Sequence, residues 1–254
     1  VVSRKSAGIR AFGIWQAWHA GADLILTMDD DCRPNGRAAW IDEHVRALSD
    51  TEPRWISTIY GLLPRGLPRD LGHAPVWLNH GGWLGIPDLD GETHLKVTPP
   101  YEYEMRLLEV PPGTYFPMSS MNLGWRRELT PALWFGGMGT KPDGSRWGLD
   151  RFDDIFAGIV AKRILDHLGA RVRSGLPWVQ HQRASDPWRN AALEAPGKRE
   201  LEWFWRAVDA VPLTAPTPAT AMIELAKGLT LPATLYWDAY RQGMQTWARL
   251  FEED

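Results

Sequence analysis

The sequence predicts an α/β domain, a mixed sheet with flanking helices, and three observations carry that expectation. Residues 6–20 place Ile9, Phe12, Trp15 and Trp18 at three-residue steps, close to one apolar stripe of a helix that Gly21 ends. Residues 23–28 then form a short apolar run without polar alternation, which suits a strand covered on both faces. Three aspartates, Asp29, Asp30 and Asp31, follow at once. Helix, glycine turn, buried strand and acidic loop make one α/β unit, and ligands of such sheets gather outside the carboxyl ends of the strands.

The remaining elements follow in order. Pro34, Asn35 and Gly36 form a turn before a helix over 38–48, and residues 55–60 read as a second strand. Residues 61–100 are crowded with Gly and Pro, so a long irregular excursion is expected there, with short strands near Val76 and Leu95. Short extended pieces follow at 107–110, 115–117 and 121–125, then a short helix around Pro131 and a glycine-rich loop over 136–148. Phe156, Ile159, Val160, Ile164 and Leu168 give 152–168 a helical pattern with Asp153 and Asp154 in its first turn, and 170–181 reads as extended. Helices are expected over 200–211, 219–227 and 234–251. The organisation predicted is one α/β domain over 1–195 with a helical extension over 196–254.

Composition narrows the function classes. With 254 residues and a net charge of −3, the chain supports a sizeable core and has no basic block able to track a phosphate backbone, which argues against nucleic acid. No apolar run reaches the roughly 18 residues of a membrane helix. One cysteine, Cys32, forms no internal disulfide, which fits a reducing compartment, and a cytoplasmic location is expected. The sequence opens at Val1 without a signal-peptide pattern, as a fragment or a processed chain would.

Mg²⁺ and Mn²⁺ prefer hard oxygen ligands, and the acidic loop supplies them. In an extended segment Asp29 and Asp31 project to one side, so that one reaches the metal and the other ribose or metal-bound water, while Asp30 faces away. A solvated acidic turn is the plainer reading of the same residues. Asp153 and Asp154 open a helix, where free N–H groups stabilise carboxylates whether or not they do chemistry. Cys32 has no legible His or Asn partner for a nucleophile's role and is expected to pack beneath the acidic loop.

Several stretches in order resemble the reversibly glycosylated polypeptides, or UDP-arabinopyranose mutases. They are Phe12-Gly13, Thr27-Met28-Asp29-Asp30-Asp31-Cys32, Asn79-His80-Gly81-Gly82-Trp83-Leu84-Gly85-Ile86-Pro87-Asp88-Leu89-Asp90, Phe116-Pro117-Met118, Met121-Asn122-Leu123, Arg151-Phe152-Asp153-Asp154-Ile155-Phe156-Ala157-Gly158 and Ser174-Gly175-Leu176-Pro177. The resemblance spans residues 8–190 and implies a GT-A type, Rossmann-like fold. It implies a metal-dependent enzyme acting on a UDP-sugar, with Mn²⁺ or Mg²⁺ held by Asp29, Asp31 and His181. It implies nucleotide-sugar contacts from Asp29, Asp30, Asn122 and Trp83. Asp153 or Asp154 is then the candidate for general acid/base help or for orienting sugar hydroxyls. Arg65, in Arg65-Gly66-Leu67-Pro68, resembles the family's self-glycosylated arginine, although a Leu stands where the family has an aromatic residue. No counterpart of the family's first strand precedes Ser6. Transfer to a separate acceptor, a catalytically silent partner subunit, and homo- or hetero-oligomers with homologues are the alternatives the resemblance leaves open.

Overall fold

A computed structural model describes residues 8–55, 57, 62–68, 70–97, 100, 102, 107–141, 143–182 and 186–252, apart from the side chains of residues 37 and 38. Its elements in chain order are α1 (Gly8–His19), β1 (Leu24–Met28), β2 (Cys32–Pro34), α2 (Arg37–Ser49), β3 (Thr51–Pro53), β4 (His73–Gly85), α3 (Gly91–Lys96), β5 (Leu108–Val110), β6 (Asn122–Arg126), a 3-10 turn (Arg127–Ala132), α4 (Asp153–Leu168), β7 (Arg171–His181), α5 (Pro187–Asp209), α6 (Pro218–Gly228) and α7 (Leu235–Arg249). The sheet is mixed, in the order β1-β6-β4-β7-β2, with β3 paired to β4 and β5 to β7. It has the flanking helices that the sequence leads one to expect.

Strand direction positions the site. β4 and β7 are parallel, and β6 runs antiparallel to both β4 and β1. The carboxyl ends of β1, β4 and β7 therefore lie at one edge of the sheet, where the segments leaving β1 and β4 carry Asp29 and Asp88 and β7 ends on His181. The N-terminal end of β6, just after Ser120, reaches the same edge.

Two faces are covered differently. Leu123 and Trp125 of β6 enter the main core with Ala11, Ile14 and Trp18 of α1 and with α4 through α7, whereas Gly124 between them faces His44 of α2. A Cβ on Gly124 would stand 2.7 Å from His44 Nδ1, so only glycine lets α2 come this close. The C-terminal helices belong to the main core: Phe156 of α4 stacks on Phe204 of α5 at 4.3 Å and on Trp237 of α7 at 6.0 Å. Each such pair contributes about 0.5–1.5 kcal/mol beyond its buried area. The junction expected at 195/196 falls inside α5.

Several expectations are corrected. β1 lies at the end of the strand order, antiparallel to β6, with only Ile25 buried, rather than covered on both faces. The buried stripe of α1 is Ala11, Ile14 and Trp18, while Ile9 and Phe12 are each 50% exposed. Three-residue steps fall about 60° short of a full turn each, which carries Ile9 to the side opposite Trp18. Within 61–100 the short strand expected at Val76 is the 13-residue β4, and Leu95 is helical in α3. Of the strand expected over 55–60, residues 56 and 58–60 lie outside the described residues. α5 begins at Pro187, capped by Asp186 Oδ1 accepting from Trp188 N at 2.9 Å.

Candidate active site

The acidic loop is a tight turn, not an extended segment. Cys32 N donates to Asp29 O at 3.1 Å, and Asp29 N donates to Met121 O at 3.0 Å, which ties the turn to the start of β6. The turn leaves Asp30 exposed while Asp29 and Asp31 line a cleft of about 510 Å³. The separation expected from strand alternation thus holds, by turn geometry instead.

β2 pairs with β7 so that Cys32 stands opposite His181, and this register delivers the imidazole to the acids. His181 Nε2 is 3.3 Å from Asp31 Oδ2, and its Nδ1 is 2.7 Å from the Ile86 carbonyl. A carbonyl only accepts, so Nδ1 carries the proton that bonds it, and in a neutral ring the Nε2 lone pair faces the carboxylate. A cation between them, or a second ring proton, resolves that opposition. Fixing one ring nitrogen on a carbonyl and presenting the other is how proteins orient a metal-binding histidine. Asp31 and His181 therefore fit a divalent cation by their donor chemistry.

Asp29 is engaged otherwise. Arg10 of α1 donates through one terminal nitrogen to Asp29 Oδ1 at 2.9 Å and through the other to Ser120 Oγ, and its guanidinium lies 5.6 Å from the Phe135 ring centre. Ser120 continues the chain, its backbone N–H donating to Asp154 Oδ2 at 3.1 Å and its hydroxyl lying 3.3 Å from the same oxygen. Asp154 Oδ1 accepts from the N–H of Ile155 at 2.9 Å. Two carboxylates from separate elements are thus bridged by one guanidinium and one serine. Among the described residues, no three His, Cys, Asp or Glu side chains are gathered as a metal-binding group.

The electrostatics are those of crowded acids. Burial raises the Asp29 carboxyl; Arg10 opposes the rise, and Asp154, Asp31 and Asp30 add to it. Asp88, after β4, also lines the cleft, and burial followed by Asp154 pushes it up to about 6. Arg151 at the same cleft has a left-handed backbone, φ 62°, a strain of about 1–3 kcal/mol for a non-glycine residue. Glu194 and Leu201 of α5 form part of the wall, and Glu194 Oε2 accepts from Gly91 N at 2.6 Å, joining α5 to α3.

Five expected site residues lie elsewhere, and the first is Asp30, which is exposed on the turn and does not line the cleft. Asn122 is fully buried: its Oδ1 accepts from Trp40 Nε1 at 2.9 Å and lies 3.1 Å from His44 Nε2, and its Nδ2 donates to Gly82 O at 2.9 Å and Pro177 O at 2.8 Å. It does not face the cleft, because every polar atom of its side chain is spent inside the fold. Trp83 packs with Trp40 against buried Cys32, Met121 and Val179 beneath the acidic turn. Asp153 is not among the cleft-lining residues; burial and then Asp154 raise it to about 7, and its charge reaches Tyr236 and Tyr240 of α7. Arg65 is exposed on a turn closed by Leu67 N donating to Pro64 O at 3.3 Å, away from the cleft lining.

Sequence reasoning missed Arg10, Asp88 and Ser120. Arg10 had a legible signal: it stands four residues before Ile14, on the buried side of α1, where an arginine needs a partner.

The model of the reversibly glycosylated polypeptide family matches residues 2–254. UDP-arabinopyranose mutase 3 of Arabidopsis thaliana is 34% identical over 284 residues, covering 99% of this chain and 73% of the relative. The probable UDP-arabinopyranose mutase 1 of Solanum tuberosum is 33% identical over 276 residues with the same coverage, and that of Pisum sativum is 37% identical over 227 residues, 81% of this chain and 60% of the relative. The chain belongs to the reversibly glycosylated polypeptide family.

Proposed function

We propose that this chain is a UDP-sugar mutase, acting on UDP-arabinopyranose as its relatives' names state, with the diphosphate held in the acidic cleft through a divalent cation on Asp29, Asp31 and His181. The observation that carries this reading is the convergence of Asp29, Asp31, Asp88, Asp154 and His181 on one cleft at the carboxyl ends of parallel strands. Asp29, Asp31, Asp88, Asp90, Asp154 and Glu194 line the cleft against the two guanidiniums of Arg10 and Arg151, and these six carboxylates and a diphosphate repel one another unless a cation joins them. Bound Mn²⁺ or Mg²⁺ supplies Lewis acidity toward the leaving nucleotide.

The protein's own groups do the rest. His181, pinned by the Ile86 carbonyl, presents Nε2 in one orientation, and the Asp29 turn is held by backbone hydrogen bonds, so the ligands lose little freedom on binding. A mutase must keep the departing UDP until the sugar bonds to it again, and a cleft walled by α5 favours retention over escape. Asp154 has both carboxylate oxygens engaged by N–H and hydroxyl groups, which supports orientation of sugar hydroxyls over deprotonation of a separate acceptor.

Incubation with labelled UDP-arabinopyranose, with Mn²⁺ or with excess chelator, tests the reading by separating sugar isomers from protein-bound and acceptor-bound label. Isomerisation that chelator abolishes is expected. Label passing to an acceptor without isomerisation would replace the mutase reading with transfer, and equal turnover in chelator would remove the metal.

A further inference from the structure

Arg10 occupies a singular position in the cleft. It is carried by α1 rather than by the sheet, its side chain is about one-third exposed, and its two terminal nitrogens are committed to Asp29 and Ser120. Of the three side chains assigned to a metal above, Asp31 and His181 already stand together, and the third is the one Arg10 holds. A guanidinium and a divalent cation cannot both be the close partner of Asp29 without repelling each other.

We propose that Arg10 is an exchangeable counter-ion: the guanidinium that pairs with Asp29 yields this carboxylate to a divalent cation and turns to the diphosphate of the nucleotide sugar. The inference rests on the metal reading proposed above and deepens it by assigning a positioning residue. Three features fit the exchange. The Asp29 contact is a single hydrogen bond rather than a bidentate fork, so it is the weaker kind of Arg–carboxylate pair. Ser120 and the Phe135 ring support the guanidinium independently of Asp29, so releasing the acid does not release the arginine. Planar guanidinium groups suit phosphate oxygens, and Arg10 lines the cavity where the diphosphate belongs.

The exchange predicts effects of opposite sign, which a purely structural arginine would not give. In Arg10→Gln, Mn²⁺ alone, titrated by electron paramagnetic resonance of the free ion, binds about five- to tenfold more tightly than in wild type, because a partly exposed competing charge is gone. UDP at saturating Mn²⁺ binds the same variant about tenfold more weakly, by loss of a charge-assisted hydrogen bond. Arg10→Lys keeps the charge and stays within about twofold of wild type for Mn²⁺. Should Arg10→Gln fail to fold, Ser120→Ala loosens the same guanidinium and shifts Mn²⁺ affinity upward by about twofold. Mn²⁺ binding that is present in wild type and unchanged or weaker in Arg10→Gln overturns the exchange alone. Absence of Mn²⁺ binding from wild type and variant alike overturns the metal reading and this inference with it.

Discussion

Two polar clusters lie on either side of the acidic turn, and they differ in charge. Beneath it, Asn122 bonds Trp40, His44, Gly82 and Pro177, and His44 in turn takes the Asn79 amide at 2.9 Å. Burial lowers His44 to about 4, so this cluster is neutral at physiological pH. Above it, Asp29, Asp31, Asp88 and Asp154 share a cleft with Arg10, and burial with mutual repulsion raises two of them. The lower cluster is neutral and shaped by the fold, with Asn79 Oδ1 left without a hydrogen bond among the described residues. The upper one is electrostatically unfinished, which is the condition in which a site gains by binding a cation and an anionic ligand.

The comparison breaks most readily at Asn122. Asn122→Ala leaves an indole N–H, a histidine nitrogen and two carbonyls unpaired in the interior, and is expected to cost about 4 kcal/mol of stability. Urea unfolding measures it, and turnover per folded molecule stays within about threefold of wild type. Lost turnover at unchanged stability would instead place Asn122 in the site. Asp31→Asn is the converse test. It removes a hard anionic ligand without changing volume, so turnover falls about 100-fold, equivalent to about 2.7 kcal/mol of transition-state stabilisation, with an unaltered thermal midpoint. A destabilised Asp31→Asn with proportionate activity would make the upper cluster structural as well.

Much of the upper cluster was legible because its signal is local. Three acids directly after an apolar run mark a strand end, and Asp153 and Asp154 mark a helix start, with no knowledge of the fold required. The lower cluster was misread for a physical reason. Gly81 and Gly82 looked like loop residues, yet they lie in the middle of β4 because neighbours press on them: a Cβ on Gly81 would stand 2.1 Å from Asn122 Nδ2, and one on Gly82 2.6 Å from the Trp178 ring. Close packing and chain irregularity select the same residue, and sequence alone does not separate them. Pro196-Gly197 misled in the same way inside α5, where a Cβ on Gly197 would stand 2.9 Å from the Phe152 ring. Asp88 and Arg10 became site residues only through convergence of β4 and α1 on one edge.

A smaller effect sharpens the boundary between the clusters and the rest of the protein. Asp153, raised to about 7, lies off the cleft lining. A carboxyl whose folded pKa exceeds its unfolded value binds its proton more tightly in the native state, so its ionisation lowers stability as pH rises from about 4 through about 7. Asp153→Asn removes that cost. It is expected to be more stable than wild type at pH 8 and equal to it near pH 4, by urea unfolding at both values. A gap of the same size at both pH values would show that side-chain packing, not ionisation, sets it.

The smallest effect is expected at Asp30, and it tests the turn itself. Asp30 is exposed at the tip of the turn and comes last among the charges acting on Asp29, whereas Asp31 lines the cleft and lies 3.3 Å from His181. Neutralising an exposed charge beside a site changes only a screened, longer-range attraction, because water and salt ions stand between it and the cleft. Asp30→Asn is therefore expected to weaken Mn²⁺ binding by less than about twofold at 0.15 M salt. At about 0.01 M salt the Debye length grows to about 30 Å and the difference widens, while that of Asp31→Asn, a direct ligand, scarcely depends on salt. The salt dependence separates the two roles even where the affinity changes overlap. Equal, salt-independent losses in Asp30→Asn and Asp31→Asn would mean that both acids reach the ion, against the exposure of Asp30 outside the cleft lining.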